Sequence, residues 1–173
     1  EKVSKLEIYS KLNIIIVSDH GMADTSTDRL IILDDYIKME YLDVNLSPTV
    51  TGLNLKKELT TMKPGTFIKE IKNAKIISKR NIPERYHYNN EDTPDYIVLA
   101  DEGWFITTRE KMKEGRSFPY GMHGYDPKSK NMHGIFMASG PSFKQNLRIK
   151  SIDNVNIYPI ICQIHGLAPY KID

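Results

Sequence analysis

Two histidines set among glycines carry the chemistry this chain offers. The first closes the stretch Leu12–Met22, LNIIIVSDHGM. Leu12, Ile14, Ile15, Ile16 and Val17 form a short apolar run, which predicts a strand buried on both faces of a parallel sheet. The run ends at Asp19, His20 and Gly21. Ligand sites of open α/β sheets lie outside the carboxyl ends of the strands, and an Asp–His pair there can supply two ligands to one metal ion. Neighbouring strand side chains point to opposite faces, so Gly21 is expected to turn the chain out of the sheet and let Asp19 and His20 converge. A buried Asp–His hydrogen bond is the plainer reading of the same pair. The second stretch is Gly121–Asp126, GMHGYD. Gly121 and Gly124 flank His123 and allow close backbone approach, while Asp126 stands where it could orient the imidazole. A flexible loop histidine is the alternative there.

The elements that must position these groups read as an α/β pattern. Residues 2–11 read as the tail of a helix, and 12–18 as a central strand carrying the site at its end. Leu30–Leu33 reads as a short strand, and Asp34–Lys38 as a helical turn capped by Asp34. Asp43–Leu53 is extended and broken at Pro48. Pro64–Ala74 is expected to be a helix with Phe67, Ile68 and Ile71 on its apolar face, followed by a strand over Lys75–Ser78. Ile82–Tyr88 alternates like a strand of a small antiparallel sheet. Asp95–Ala100, the turn Asp101–Gly103 and Trp104–Thr107 read as a hairpin, and 109–122 as a charged surface loop running into His123. Gly134–Ala138 reads as a buried strand. Ile152–Leu167 is expected to be a closing helix, with Asp153 as N-cap, Gly166 as C′ residue, and Val155, Ile157, Tyr158, Ile160, Ile161 and Ile164 in the core. Helix and strand alternate at both ends. The middle third, about residues 47–107, carries a small antiparallel addition.

Composition narrows the class. The 173 residues are 40% hydrophobic and 27% charged, as in a globular domain with one core of ordinary size. The net charge of +2 is too small to argue for nucleic acid or a membrane surface. No apolar run approaches the roughly 20 residues that span a bilayer. The single cysteine, Cys162, can form no internal disulfide and reads as a small buried hydrophobe. The start, EKVSKLEIYSKLN, has no signal-peptide pattern.

The remaining histidines read as structural. His87 falls in the antiparallel addition, His133 before a buried strand, and His165 near a helix C-terminus, where an imidazole suits the dipole. Trp104 and Phe105 read as hairpin core. Tyr125, close to His123, is a candidate for lining a substrate pocket. Asp101 or Glu102 could meet a cationic head group, although a turn carboxylate is usually just solvated.

SDHGM, ADEGWFIT, MHGYD, NMHGIFMASGPSFK and NVNIYPIICQIHGLAP, in this order, resemble the C-terminal part of the catalytic domain of ectonucleotide pyrophosphatases/phosphodiesterases, members of the alkaline-phosphatase superfamily. The resemblance covers nearly the whole chain. It implies an α/β three-layer sandwich around a mostly parallel sheet, and two zinc ions at the carboxyl ends of its strands. Asp19 and His20 would bind one zinc and His123 the other. The nucleophile in that family is a threonine upstream of the SDHG motif, as are an Asp ligand and an Asp-x-x-x-His pair. None of these can lie in this chain, where the motif begins at Ser18. The chain is therefore expected to be a segment of a longer enzyme, supplying part of a bimetal site and no catalytic residue of its own.

The activity implied is hydrolysis of phosphodiester or pyrophosphate bonds, with two ions about 4 Å apart clamping attacking and leaving oxygens. A zinc ion needs about three or four protein ligands, so the segment alone is expected to hold metal poorly and be inactive. Its partner would be the missing N-terminal half of the same domain, and its substrate a small nucleotide or choline phosphodiester. ADEGWFIT resembles the choline-specific branch. Family members act outside the cytoplasm, so an extracytoplasmic location is expected. The alternatives are another hydrolase or phosphomutase of the superfamily, such as a sulfatase, or a binding module that has kept the fold and lost the site.

Overall fold

The computed structural model describes residues 3–57, 67–115 and 117–171. In chain order its elements are β1 (Ile14–Val17), β2 (Ala23–Asp24), β3 (Leu30–Ile32), β4 (Leu42–Asn45), β5 (Val50–Leu55), β6 (Ala74–Ser78), β7 (Tyr96–Ala100), β8 (Phe105–Thr107), α1 (Arg109–Lys113), β9 (Gly121–Met122), β10 (Phe136–Ser139) and α2 (Ile157–Ile164), with short 3-10 turns between them. The chain divides into two compact units, one made of 1–19 with 134–173 and the other of 20–133.

In the first unit β1 pairs with β10, antiparallel, with Ile14 opposite Ser139 and Val17 opposite Phe136. The strand is where the apolar run predicts it, but its described neighbour is antiparallel rather than parallel. Ile16 and Val17 are exposed, as is Met137 on the partner strand. No other strand pairs with this ladder among the described residues, and Ile14, Ile15 and Phe136 are half-buried. The expected N-terminal helix is instead two 3-10 turns, Val3–Lys5 and Tyr9–Lys11. The closing helix is shorter than expected. A 3-10 turn at Asn154–Asn156 precedes α2, and Gly166 follows it at φ +66°. Of its apolar stripe only Cys162 is buried, while Val155, Tyr158 and Ile161 are exposed.

The second unit holds the core. A four-stranded antiparallel sheet runs in the order β4-β5-β7-β6, with Thr51 opposite Val98 and Leu53 opposite Tyr96 at its centre. Leu53, Val98 and Thr51 are fully buried there. The Thr51 hydroxyl meets its hydrogen-bonding need by donating to the Ser47 carbonyl at 2.8 Å, as a buried polar group must. Ile31, Leu33, Phe67, Ile71 and Ile106 complete the core.

The expected hairpin after β7 does not form. Both edges of β7 are taken, by β5 and β6, so a returning strand has nowhere to pair. The chain turns at Asp101–Trp104, with the Trp104 amide on the Asp101 carbonyl at 3.0 Å, and β8 runs parallel to β3 instead. Residues 64–66, the start of the expected helix, lie outside the described residues. The part that is described forms no helix, and its residues 72–73 make a turn with Asn73 at φ +65°. Ile68 bridges Ile37, and Phe67 and Lys69 exchange backbone hydrogen bonds with Lys38 and Tyr36. Phe67, Ile68 and Ile71 are nonetheless buried, so the apolar pattern marked core without marking helix. Ile82–Tyr88 is no strand either. Pro83 has no amide hydrogen to give a ladder, and a 3-10 turn over Glu84–Tyr86 ends in a left-handed His87 at φ +46°. Asp34 caps no helix side chain to backbone in its own turn. It accepts from the Arg109 amide at 2.9 Å, at the start of α1, a short helix within the expected loop.

Candidate functional site

The two motif histidines meet. Their rings are stacked, centroids 3.7 Å apart and planes 16° from parallel, although 20 and 123 stand far apart in the chain. Both lie in the second unit. Asp19, the exposed residue just before His20, closes the first.

A small ladder brings the pair together. β2 and β9 are antiparallel, with Ala23 opposite Met122 and Asp24 opposite Gly121. His20 comes three residues before the first rung and His123 one residue after it. The ladder is lengthened by Thr25, whose amide donates to the Tyr120 carbonyl at 3.1 Å and whose buried hydroxyl donates to the Pro119 carbonyl. Thr25 was not legible as a site residue, because a threonine in a polar loop carries no signal of its own.

Each histidine is followed by a glycine that the backbone needs. The Gly21 amide donates to the Met132 carbonyl at 3.1 Å. A Cβ there would sit 2.1 Å from the Asn131 carbonyl oxygen and 2.8 Å from that of His133, so no other residue fits this close approach. Gly124 lies at φ +91°, with a Cβ position 2.7 Å from Thr49 Oγ1. The next residue, Tyr125, is buried, and its hydroxyl donates to the Trp104 carbonyl at 3.0 Å. Burial raises its hydroxyl pKa. The structure thus places Tyr125 in the core, anchoring the loop.

Asp126 does not face His123 as an orienting group. Its carboxylate takes both guanidinium nitrogens of Arg85, at 2.7 and 2.6 Å, and the Tyr86 hydroxyl at 2.9 Å. The hydrogen bond from Arg85 holds its pKa far below the usual carboxylate range. Glu102, the candidate for a cationic head group, accepts from Ser129 Oγ and Asn131 Nδ2. Those two bonds lower its pKa and tie down the turn that receives the Gly21 amide. His87, His133 and His165 are exposed.

The His20 ring is oriented by its own neighbour. Its Nδ1 lies 2.7 Å from the Gly21 carbonyl oxygen. A carbonyl can only accept, so Nδ1 is the donor in this contact. A metal-binding histidine is oriented by this kind of bond from its other nitrogen. Among the described residues no three His, Cys, Asp or Glu side chains gather closely enough to hold an ion by themselves.

The two motifs, their meeting and the fold around them find a match in one family. A family model described as type I phosphodiesterase / nucleotide pyrophosphatase covers residues 1–126, and the chain belongs to that family. Human ectonucleotide pyrophosphatase/phosphodiesterase family member 5 is 34% identical over 177 residues, covering 97% of this chain and 35% of that protein. The human bis(5'-adenosyl)-triphosphatase ENPP4 is 36% identical over 176 residues, covering 98% of this chain and 36% of its own length. The solved structure of human ENPP5 superposes with a TM-score of 0.81 at 30% identity, over 99% of this chain and 45% of that one. An inactive Thr-to-Ala form of murine ENPP5 in complex with AMP matches with a TM-score of 0.81 at 29% identity. The fold is therefore the alkaline-phosphatase-like α/β class that the motifs imply. The chain spans about a third of the length of the curated relatives it matches. Among the described residues no helix is long and apolar enough to cross a membrane.

Proposed function

We propose that this chain is the C-terminal part of the catalytic domain of a zinc-dependent hydrolase of phosphodiester or pyrophosphate bonds in nucleotides. The observation that carries the reading is the stacking of His20 on His123, which brings the imidazoles of two distant motifs to one place. Relatives named for nucleotide pyrophosphatase and bis(5'-adenosyl)-triphosphatase activity, and one solved with AMP, favour a nucleotide substrate over a choline ester.

The donor set suits zinc, which takes imidazole nitrogen and carboxylate oxygen. His20 would offer Nε2, with Asp19 beside it in the chain as a ligand of the same ion. His123 would serve the second ion. Three donors are too few for two ions, so the remaining ligands and a threonine nucleophile would come from upstream polypeptide. The inactive Thr-to-Ala form of the murine relative supports a threonine in that role. When bound, two zinc ions supply charge that neutralises the phosphoryl oxygens and activates attack. The work of this chain is to hold and aim the imidazoles, which the β2–β9 ladder, the Gly21–Met132 hydrogen bond and the His20–Gly21 contact do. The family resemblance supports an extracytoplasmic location.

The test uses the full-length protein, with a nitrophenyl phosphodiester and bis(5'-adenosyl) triphosphate as substrates. About two zinc per chain are expected, with activity lost to a chelator and restored by zinc. Turnover indifferent to chelation, or a chain carrying no zinc, would end the reading. A sulfatase or a lapsed binding module would show no phosphodiesterase activity at all.

A further inference from the structure

One strong polar cluster in the second unit has no part in the reading above. Asp126, three residues after His123, accepts Arg85 on both carboxylate oxygens, at 2.7 and 2.6 Å. The Tyr86 hydroxyl adds a third bond at 2.9 Å and the Lys128 amide a fourth at 3.0 Å. The guanidinium also lies over the Tyr86 ring, 4.2 Å from its centroid. Most surface ion pairs join two mobile side chains and contribute little. A two-pronged guanidinium–carboxylate pair fixes direction as well as distance.

What it fixes is the backbone leaving His123. Three consecutive residues after that histidine are each held by a different element. Gly124 abuts Thr49, Tyr125 is bonded to Trp104, and Asp126 is bonded to the turn carrying Arg85 and Tyr86. On the other side of His123 the chain is paired to β2. The histidine therefore hangs between two anchored points, and the Arg85–Asp126 bond is the outer one on the C-terminal side.

We propose that Arg85 and Asp126 are positioning residues for His123, a pair that holds the HGYD segment so that its imidazole lies on that of His20. The proposal deepens the metal reading and rests on it for the effect on zinc and turnover. The effect on ring placement stands apart from it.

The experiment compares Asp126→Asn, Arg85→Met and Arg85→Lys in the full-length protein, with Arg109→Met as control. Arg109 forms a single-pronged, more exposed ion pair with Asp35, and neither residue belongs to a histidine motif. Ring stacking is read in metal-free protein from the upfield-shifted histidine ring protons in a carbon-13 histidine spectrum. Zinc per chain is measured after dialysis against a weak chelator. Asp126→Asn and Arg85→Met should lose the upfield signals and about one of the two zinc ions, and should lower kcat about 10- to 100-fold with KM within about twofold. Arg85→Lys keeps the charge without the fork and should fall between; it decides the matter if Asp126→Asn does not fold. Arg109→Met should change none of these. Variants that keep the ring signals and the zinc would overturn the proposal, whatever their melting temperature. Wild-type protein without zinc would instead overturn the metal reading, and the ring signals would still judge the pair.

Discussion

Replacing Gly21 by alanine is the sharpest single perturbation the site permits. The added Cβ would lie 2.1 Å from the Asn131 carbonyl oxygen and 2.8 Å from that of His133. Comfortable contact begins at about 3.5 Å, so the backbone must give by more than about 1 Å. Overpacking typically costs about 1–3 kcal/mol where side chains can shift. The obstructing atoms here are main chain, so a cost near 3 kcal/mol is expected, or roughly 150-fold in the folded-to-unfolded ratio. At about 2–4 °C per kcal/mol, the melting temperature should fall by about 6–12 °C. The same shift carries His20 with it, and a misplacement of about 1 Å can cost about 100-fold in turnover. Gly115→Ala supplies the comparison, since nothing lies within 4 Å of its Cβ position at φ +66°. It should cost only the left-handed strain of about 1–2 kcal/mol and leave turnover alone. Melting curves and phosphodiesterase assays on the two full-length variants decide it. A Gly21→Ala protein that melts with wild type and keeps its activity would refute the close approach.

The other expectations are more direct. His20→Ala and His123→Ala should each lose bound zinc by metal analysis and lower kcat by more than the roughly 10- to 100-fold of an outer-shell change; retained zinc would remove the histidine from the ligand set. Tyr125→Phe removes the bond to the Trp104 carbonyl and should cost about 1 kcal/mol, or up to about 3 if that carbonyl is left unpaired, with KM unchanged; a raised KM would return Tyr125 to the substrate pocket. Its buried hydroxyl has a raised pKa, so the stability it contributes is complete below about pH 10 and is lost as pH rises further. Asp126 has the opposite sign. Its pKa is lowered in the fold, so its contribution is complete above about pH 4 and fades on acidification. The melting-temperature gap between wild type and Asp126→Asn should therefore narrow only below that pH, and a gap constant down to pH 2 would contradict the Arg85 bond.

Apolar runs in the sequence mark several strands and the core, whereas helix or strand type in short segments and the choice of sheet edge have no local signature. The apolar runs at Ile14–Val17, Tyr96–Ala100 and Phe136–Ser139 are strands because short β-branched and apolar runs favour extension wherever they pair. Glycine flanking marked His20 and His123, and the structure stacks them. The pairing of β8 with β3 was hidden, because nothing in Phe105–Thr107 tells that both sides of β7 are already occupied. Among the described residues β1 has β10 as its paired neighbour, and the order of strands around it is not written in the apolar run. Phe67, Ile68 and Ile71 fit one helix face and equally fit an extended segment in the core, an ambiguity short apolar groups always carry. Arg85 and Tyr86 escaped notice since an ion pair across 41 residues has no local pattern.

The two-rung ladder beside the histidines has a consequence for how the protein assembles. It joins Thr25 to Pro119 across 94 positions, a long-range contact whose loop-closure entropy slows folding. The same clasp makes that intervening stretch an insert with adjacent ends. Changes within it reach the histidines through the few residues that touch the clasp's far side, Arg85 on Asp126, Trp104 on Tyr125 and Glu102 on Asn131, and loops away from those contacts are the ones free to lengthen.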